Sequence, residues 1–242
     1  GLAGLAVWAA LAPTARAREV AVISYFSSST CVAPSLTHGG EFMVLDHCKT
    51  DFSYDCYDSD GGCLESLAAS NGTHVVKGLY AAGSNCTALN RTAAAVPLRC
   101  GRASDGDVVL ISGYAEATIV QHDTFEKDLW FADAACRHET GLPELFPMNL
   151  CARLNATHAG RMVCNPEEGT ASLHVYDSAA ADCGGDGVVA GGNAYGECLG
   201  GRPPYVKYEQ QCRELVQSSG ALRLASRLAL WAAPLAALWA TR

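Results

Sequence analysis

Residues 25–31 read YFSSSTC, and residues 130–136 read WFADAAC. Both stretches place two aromatic residues ahead of four small or polar residues and a cysteine, and they start 105 residues apart. Two looser copies precede Cys86 and Cys183, and in all four copies a second cysteine follows after 13 to 16 intervening residues. The spacing predicts one motif repeated four times, arranged as two modules of two motifs each.

The segments around these motifs are short, rich in β-branched and aromatic residues, and bounded by turn-forming residues. In each motif the aromatic residue ends a strand and the cysteine lies in the following turn. The predicted strands are 20–25, 42–46, 75–80, 108–113, 117–122, 129–132, 172–176 and 205–208. A helix is predicted over 209–217. The predicted fold class is therefore mainly β, with two small disulfide-rich β modules in tandem and little helix apart from the terminal segments.

The cysteines are numerous, even in number and spread along the chain, which is typical of disulfide-bonded proteins exported to an oxidising compartment. Zinc binding by reduced cysteines is the alternative, but zinc ligands come in close pairs, and six residues separate the nearest two cysteines. The twelve are Cys31, Cys48, Cys56, Cys63, Cys86, Cys100, Cys136, Cys151, Cys164, Cys183, Cys198 and Cys212.

The simplest pairing joins the two cysteines of each motif, with no bridge between the modules. Bridges that close loops of about 15 residues each stabilise the fold by roughly 3 kcal/mol. Because six cysteines per module allow fifteen connectivities, this pairing is a preference and not a deduction. The predicted bridges are 31–48, 86–100, 136–151, 183–198, 56–63 and 164–212.

The first segment of the chain is typical of a signal peptide. Residues 2–12 are uncharged and apolar, and Ala15, Arg16 and Ala17 have the small-x-small form of a signal peptidase site. Eleven apolar residues are too few to span a bilayer as a helix. A buried N-terminal helix would leave the Ala-Arg-Ala boundary unexplained, so residues 1–17 are predicted to be a signal peptide.

The last segment, 218–242, is predicted to be an anchor signal or a membrane segment. Residues 228–240 are apolar, and Ser218, Ser219 and Gly220 form a small triplet before them. A small triplet, a spacer and a short apolar tail are typical of a glycolipid attachment signal, with Ser218 and Ser219 as attachment candidates. A short membrane-spanning helix and a packing or surface helix are the alternatives.

Between these segments the predicted domains are module 1 (18–101), a linker or bridging strand (102–117) and module 2 (118–217). Residues 18–218 contain all 25 acidic residues and 13 of the 17 basic ones, a net charge of −12. This acidity without a basic cluster argues against binding to nucleic acid or to anionic lipid head groups.

Four asparagines begin Asn-x-Thr triplets, where seven asparagines would produce roughly one by chance. Their excess predicts N-glycosylation during passage through the secretory pathway and an exposed position for each. The predicted glycosylation sites are Asn71, Asn85, Asn90 and Asn155.

The chain has none of the usual sequence signatures of hydrolases, metalloproteases or phosphate-binding loops. A catalytic triad needs proximity only in space, so a triad assembled from loops stays open. The acidic stretch 51–60 fails the calcium-loop spacing because position 62 is Gly, which favours a solvated loop. The motif aromatics could stack on sugars, but strand ends beside bridges favour a core role. We expect no catalytic residue, no metal and no cofactor.

Together these features predict an extracellular or cell-surface disulfide-rich glycoprotein that acts in binding, adhesion or a surface coat. It would reach the outer face of the plasma membrane through the secretory pathway, and its partner would be an extracellular macromolecule or glycan. The alternative is a secreted hydrolase with a triad built from loops. A small-ligand carrier is a third hypothesis, and it requires an apolar cavity.

The anchor hypothesis predicts that phosphatidylinositol-specific phospholipase releases the protein from intact eukaryotic cells that express it. The lipase cleaves a glycolipid anchor but leaves a spanning helix in place. A known anchored protein on the same cells serves as the control. Retention of the protein while that control is released would contradict the anchor.

Overall fold

The computed structural model describes residues 17–52, 63–105, 113–165, 167–177, 182–200 and 205–209. Most of the predicted signal peptide, the anchor segment, most of the strand 108–113 and nearly all of the helix 209–217 lie outside these ranges.

The described chain consists almost entirely of antiparallel strands, which confirms a mainly β fold. One short 3-10 turn, Ala33–Ser35, interrupts them. The strands are β1 (Arg18–Phe26), β2 (Leu36–Val44), β3 (Lys49–Thr50), β4 (Glu65–Ser70), β5 (His74–Tyr80), β6 (Leu89–Pro97), β7 (Gly101–Arg102), β8 (Ser104–Asp105), β9 (Tyr114–His122), β10 (Phe125–Phe131), β11 (Glu144–Pro147), β12 (Ala152–Arg153), β13 (Ala159–Asn165), β14 (Thr170–Tyr176), β15 (Val188–Ala194), β16 (Cys198–Leu199) and β17 (Tyr205–Glu209).

These strands form four small sheets in a propeller-like ring. Sheet A has the order β2-β1-β9-β7, and sheet B has the order β3-β4-β5-β6-β8. Sheet C has the order β11-β10-β17-β16, and sheet D has the order β12-β13-β14-β15. Sheets A and B therefore use only the first half of the described chain (18–122), and sheets C and D use only the second half (125–209).

All four sheets share one plan around their motif strands, which are β1, β5, β10 and β14. Each motif strand pairs on one side with the strand that follows it along the chain. On its other side it pairs with a third strand, and beyond that lies an edge strand of only two residues. The edge strands are β7, β3, β16 and β12. The four motifs read from the sequence thus correspond to four sheets of the same design.

Each sheet contains one of the four bridges that the described residues show, and the cysteines of a motif do not pair with each other. The cysteine in the turn after each motif strand instead reaches the start of the edge strand in the same sheet. The observed bridges are Cys31–Cys100, Cys48–Cys86, Cys136–Cys198 and Cys151–Cys183. The predicted bridges 31–48, 86–100, 136–151 and 183–198 are therefore wrong. The prediction paired cysteines that are near each other in sequence. The strand order of the sheet instead places the edge strand, and so its cysteine, beside the turn.

The remaining cysteines fit the same oxidised state. Cys63 and Cys164 are also disulfide-bonded, and no cysteine of the described chain is free. Their predicted partners, Cys56 and Cys212, lie outside the described residues, so the pairs 56–63 and 164–212 stay predictions. All four observed bridges join cysteines of the same half, as expected.

The four turn cysteines share one unusual backbone conformation. Their φ angles are 47° at Cys31, 54° at Cys86, 48° at Cys136 and 47° at Cys183. A positive φ is uncommon for a residue with a side chain and costs about 1–2 kcal/mol. The bridges close 32 to 69 residues of chain, and loops of that size contribute about 4 kcal/mol each by restricting the unfolded chain. The bridge therefore more than offsets the strain of the turn that it holds.

Sheets A and B pack face to face on the first core cluster, which includes Ile23 and Tyr25 from β1 and Val75 from β5. Val20, on the opposite face of β1, packs against Phe125 of sheet C. Alternation along one strand thus buries both faces of sheet A. Sheets C and D pack on a separate cluster that contains Met148, Ala171 and Tyr195.

The two halves of the chain also meet at their β2 and β11 strands. The N–H of Gly39 in β2 donates to the carbonyl of Leu154 next to β12, at 3.0 Å. In the reciprocal position, before β11, the N–H of Leu142 donates to the hydroxyl of Thr50 in β3, at 2.6 Å. A side chain at Gly141 would meet that hydroxyl at 2.5 Å, and φ there is +76°, so this close approach requires glycine.

Tryptic peptide mapping without reduction distinguishes the observed bridges from the local ones. Trypsin places Cys31 and Cys48 together in peptide 19–49, Cys86 in 78–91 and Cys100 in 100–102. After removal of N-glycans, the observed bridges link 19–49 to both of the other peptides. Recovery of 78–91 linked to 100–102 alone would contradict the structure.

Candidate functional site

Four exposed turns follow the motif strands: turn 1 (27–35), turn 2 (81–88), turn 3 (132–143) and turn 4 (177–187, described at 177 and 182–187). Each contains the turn cysteine of its sheet, so all four have the same attachment to the scaffold. Their exposed residues differ in chemistry. Turn 1 is rich in hydroxyls, turn 2 in small residues, turn 3 in charges of both signs, and turn 4 in glycine and aspartate.

Turn 3 is ordered by one carboxylate. Asp133 accepts hydrogen bonds from the backbone N–H groups of Ala135 at 3.0 Å, Arg137 at 3.1 Å and His138 at 2.8 Å. The His138 ring also lies 3.0 Å from this carboxylate. The N–H of His138, followed by the other donors, lowers the pKa of Asp133 to about 2, because these donors favour the charged form. The exposed Arg137, His138 and Glu139 are thereby held in a fixed arrangement.

Turn 2 is held by a buried carboxylate. Glu65 in β4 is 4% exposed, and its Oε2 accepts hydrogen bonds from the N–H of Cys86 at 2.7 Å and the hydroxyl of Ser84 at 3.1 Å. Cys48, Glu65 and Cys86 lie close enough together to resemble a metal site. Because the two cysteines form a bridge with each other, neither offers a thiolate to a metal. This cluster supports the turn.

A small polar cleft lies where sheets A, B and C meet. It has a volume of about 70 Å³, far below the 300–1,000 Å³ of typical small-molecule pockets. Two ion pairs lie at the cleft, Lys49 with Glu144 and Lys77 with Asp51, the second at 2.8 Å. Asp51, a member of the acidic stretch considered for calcium, is therefore paired with a lysine. Asp55, Asp58 and Asp60 lie outside the described residues.

Two histidine rings lie against backbone carbonyls of the scaffold. His47 lines the cleft, where burial lowers its pKa and its Nε2 lies 2.9 Å from the carbonyl of Pro143. His122 lies 2.7 Å from the carbonyl of Met148. Among the described residues no serine hydroxyl is hydrogen-bonded to a histidine ring, so the structure does not assemble there the Ser-His contact that the hydrolase hypothesis requires.

The interior of sheets C and D contains polar groups that sequence reasoning did not single out. Glu126, Asp128 and Trp130 alternate along β10 and so lie on one face of it. Glu126 is 2% exposed. The Oε1 of Glu126, the Oδ1 of Asp128 and the indole N–H of Trp130 are buried without a hydrogen-bond partner. The i, i+2 alternation of two acids just before the predicted strand 129–132 was the available signal.

The electrostatics of this face follow from burial. Removal from water raises the pKa of Glu126 to about 7. Burial first, then the negative charges of Glu126 and Glu144, raise the pKa of Asp128 to about 7. Burial and the two carboxyls also raise the pKa of Tyr195 and of Tyr208. The carboxyls of Glu126 and Asp128 therefore disfavour ionisation of both phenols, and Glu126 disfavours ionisation of Asp128.

The motif aromatics lie at strand ends, as expected, and contact protein groups. Tyr25 and Tyr176 are buried. The hydroxyl of Tyr25 donates to Glu41 at 2.6 Å. The Nε of Arg161 donates to the hydroxyl of Tyr176 at 3.0 Å. These contacts favour a core role over a sugar-stacking surface.

The predicted glycosylation sites lie at or near the surface. Asn71, Asn85 and Asn90 are exposed, and Asn155 is half-buried. Glycosylation of each stays a prediction. The attachment candidates Ser218 and Ser219 lie outside the described residues.

Comparison with known protein families, curated proteins and solved structures finds no match for this chain. The several disulfides are compatible with an extracellular or secreted protein. In the described part of the chain, no helix has the length and apolar character needed to cross a membrane.

Asp133→Ala should loosen turn 3 without unfolding the sheets, because three backbone amides lose their acceptor. We expect severalfold faster amide hydrogen exchange at Ala135, Arg137 and His138, measured by NMR. Asp123→Ala is the matched control, since Asp123, in the turn before β10, accepts a hydrogen bond from the side-chain hydroxyl of Thr124. Equal exchange rates in both variants would show that Asp133 does not order the turn.

Proposed function

We propose that this protein is a binding protein of the cell surface or extracellular space, built from two related modules and without catalytic activity. Its recognition surface consists of the four pinned turns, and its partner is an extracellular macromolecule or glycan. The observation that carries the proposal is the constancy of the scaffold. The left-handed turn cysteine and its bridge to the edge strand are the same at all four turns, whereas the exposed side chains differ.

The two-module arrangement is supported by the order of the strands. In each half the last strand returns to pair with the first: β9 pairs with β1 and β17 pairs with β10. When the additional strand β8 is left out of the first half and the second half is renumbered from β10, the strand orders of A and C are the same, and so are those of B and D. A chain that closes on its own first strand is typical of a module that folds as a unit.

Local geometry repeats between the halves as well. The N–H groups of Leu45 and Met148 each donate to a carbonyl at the entry to the motif strand, both at 2.8 Å. The next residues, Asp46 and Asn149, both have positive φ, 53° and 61°. These matches support an internal duplication of about 105 residues.

A macromolecular partner is favoured by the size of the cleft. A volume of about 70 Å³ leaves no room for the drug-sized ligand of a carrier protein. Exposed turns on a rigid scaffold are the usual place for recognition by proteins of this kind. The net charge of −12 between residues 18 and 218 favours partners with a basic surface.

Turn 3 offers the sharpest test because it combines an exposed arginine with the order given by Asp133. The triple variant Arg137→Ala, His138→Ala, Glu139→Ala removes its charged groups and leaves Cys136 in place. Binding is measured with biotinylated protein, assembled on streptavidin, on a glycan array and on intact eukaryotic cells. We expect saturable binding that weakens by about 30-fold in the variant, the effect of losing an interface hot spot.

The double variant Thr118→Ala, Gln121→Ala, at exposed positions of β9, is the matched control and should bind as the unchanged protein does. Saturable binding that no turn substitution alters would contradict the proposed surface. Turnover of chromogenic esters or glycosides, lost on substitution of a histidine, would favour the hydrolase alternative.

A further inference from the structure

The first half of the chain serves as an internal reference for the second. An offset of 105 residues superimposes β1 on β10, and the three residues of β1 that face sheet B are buried and apolar or aromatic. In β10 the same three positions hold the polar face described above. The aligned pairs, first half first, are Ala21 and Glu126, Ile23 and Asp128, and Tyr25 and Trp130.

Two further core positions are also apolar in the first half and polar in the second. Ile23 pairs across the sheet with Ala117, whereas Asp128 pairs with Tyr208. Leu98 directly follows β6 and its N–H donates to Thr73 at 2.9 Å; Tyr195 directly follows β15 and its N–H donates to Gly169 at 2.9 Å.

The aligned pairs Ala117 and Tyr208, and Leu98 and Tyr195, thus add two phenols to the two carboxyls. Four apolar positions of one core are occupied by acids in the other. A single acid at a core position is an ordinary exception, but here two buried acids (Glu126 and Tyr195) and two half-buried ones (Asp128 and Tyr208) replace neighbouring apolar residues and form one polar site inside sheets C and D.

The charges that face this site do not neutralise it. Lys49 from β3 is the cation that acts on Asp128, and it is already paired with Glu144 of β11. Glu144 lies directly across from Asp128 on the sheet and adds a like charge. Tyr208 from β17 and Tyr195 after β15 contribute only groups that become negative when they ionise.

We propose that the Glu126–Asp128 pair is a proton-operated lock, which holds sheets C and D together when protonated and loosens them when it ionises. Protonation leaves two neutral carboxyls in the apolar interior. Ionisation places two like charges there, each with a buried oxygen that has no hydrogen-bond donor. The first half has no such pair at the aligned positions and should not respond.

The direction of the pH dependence follows from linkage. Both carboxyls have a raised pKa in the folded protein, about 7 against ordinary values near 4. The folded state therefore binds more protons than the unfolded state between these values. The stabilisation is fully present below about pH 4 and is lost as pH rises through about 7.

Urea unfolding of the full chain at pH 5, 6, 7 and 8, followed by circular dichroism, tests the lock. We expect the unfolding equilibrium constant to rise at least about 100-fold from pH 5 to pH 8, which is the contribution of one carboxyl whose pKa is raised from about 4 to about 7. The variant Glu126→Gln, Asp128→Asn keeps the shape but cannot ionise, and should lose this dependence. Glu126→Ala, Asp128→Ile installs the residues of the first half and should lose it too.

Glu167→Gln, at an exposed carboxyl of the same half, is the control and should keep the dependence. An unfolding equilibrium constant that stays unchanged or falls from pH 5 to pH 8 would overturn the proposal. So would an unchanged dependence in the Gln/Asn variant. If calcium or magnesium chloride restored at pH 8 the stability that the protein has at pH 5, the two carboxyls would form a cation site and not a lock.

Discussion

The bridge from a left-handed turn cysteine to a two-residue edge strand is the constraint on which the rest of this structure depends. An edge strand of two residues has too few ladder hydrogen bonds to hold its place. A turn cysteine with positive φ is strained on its own. Joined covalently, the two hold each other, and the motif strand and the third strand are enclosed between them. Cys31–Cys100 does this for sheet A, and three other bridges do it for the other sheets.

This constraint explains how sheets of low apolar content persist. Strand β6 reads LNRTAAAVP and β15 reads VVAGGNA, which supply little side-chain area to bury. A cross-link in every sheet restricts the unfolded chain. The entropy that the unfolded chain loses in this way makes a large contribution to the stability of the fold. The exposed turns can then vary in sequence, because the bridge and not the turn residues fixes their position.

The aromatic and β-branched segments were predictable from the sequence. Strands β1, β5, β9, β14 and β17 each contain a predicted strand, and β2 and β10 each overlap one. Strands β4, β6, β13 and β15 were missed because alanine and glycine are weak strand formers, and sheet pairing overrides that preference. The repeat was visible, but its pairing was not. Sequence proximity favoured Cys31 with Cys48, whereas strand order decides the partner.

The interior acids were missed for a related reason. Alternating Glu126 and Asp128 on a strand indicate a solvent-facing side, and only the packing of sheet D on sheet C shows that this side is covered. Comparison of the two halves then shows that the pair occupies positions that are apolar in the first half. The same scaffold carries an apolar core around Ile23 and a polar one around Asp128, so the acids are additions to a fold that does not need them.

The central claim is that each sheet is locked by its own bridge. Native-state hydrogen exchange of the variant Cys48→Ala, Cys86→Ala tests it most directly. The account predicts faster exchange in β3, β4 and turn 2 of sheet B, with unchanged exchange in sheet D, where Cys151–Cys183 is intact. Equal acceleration in all four sheets, or none in sheet B, would contradict it.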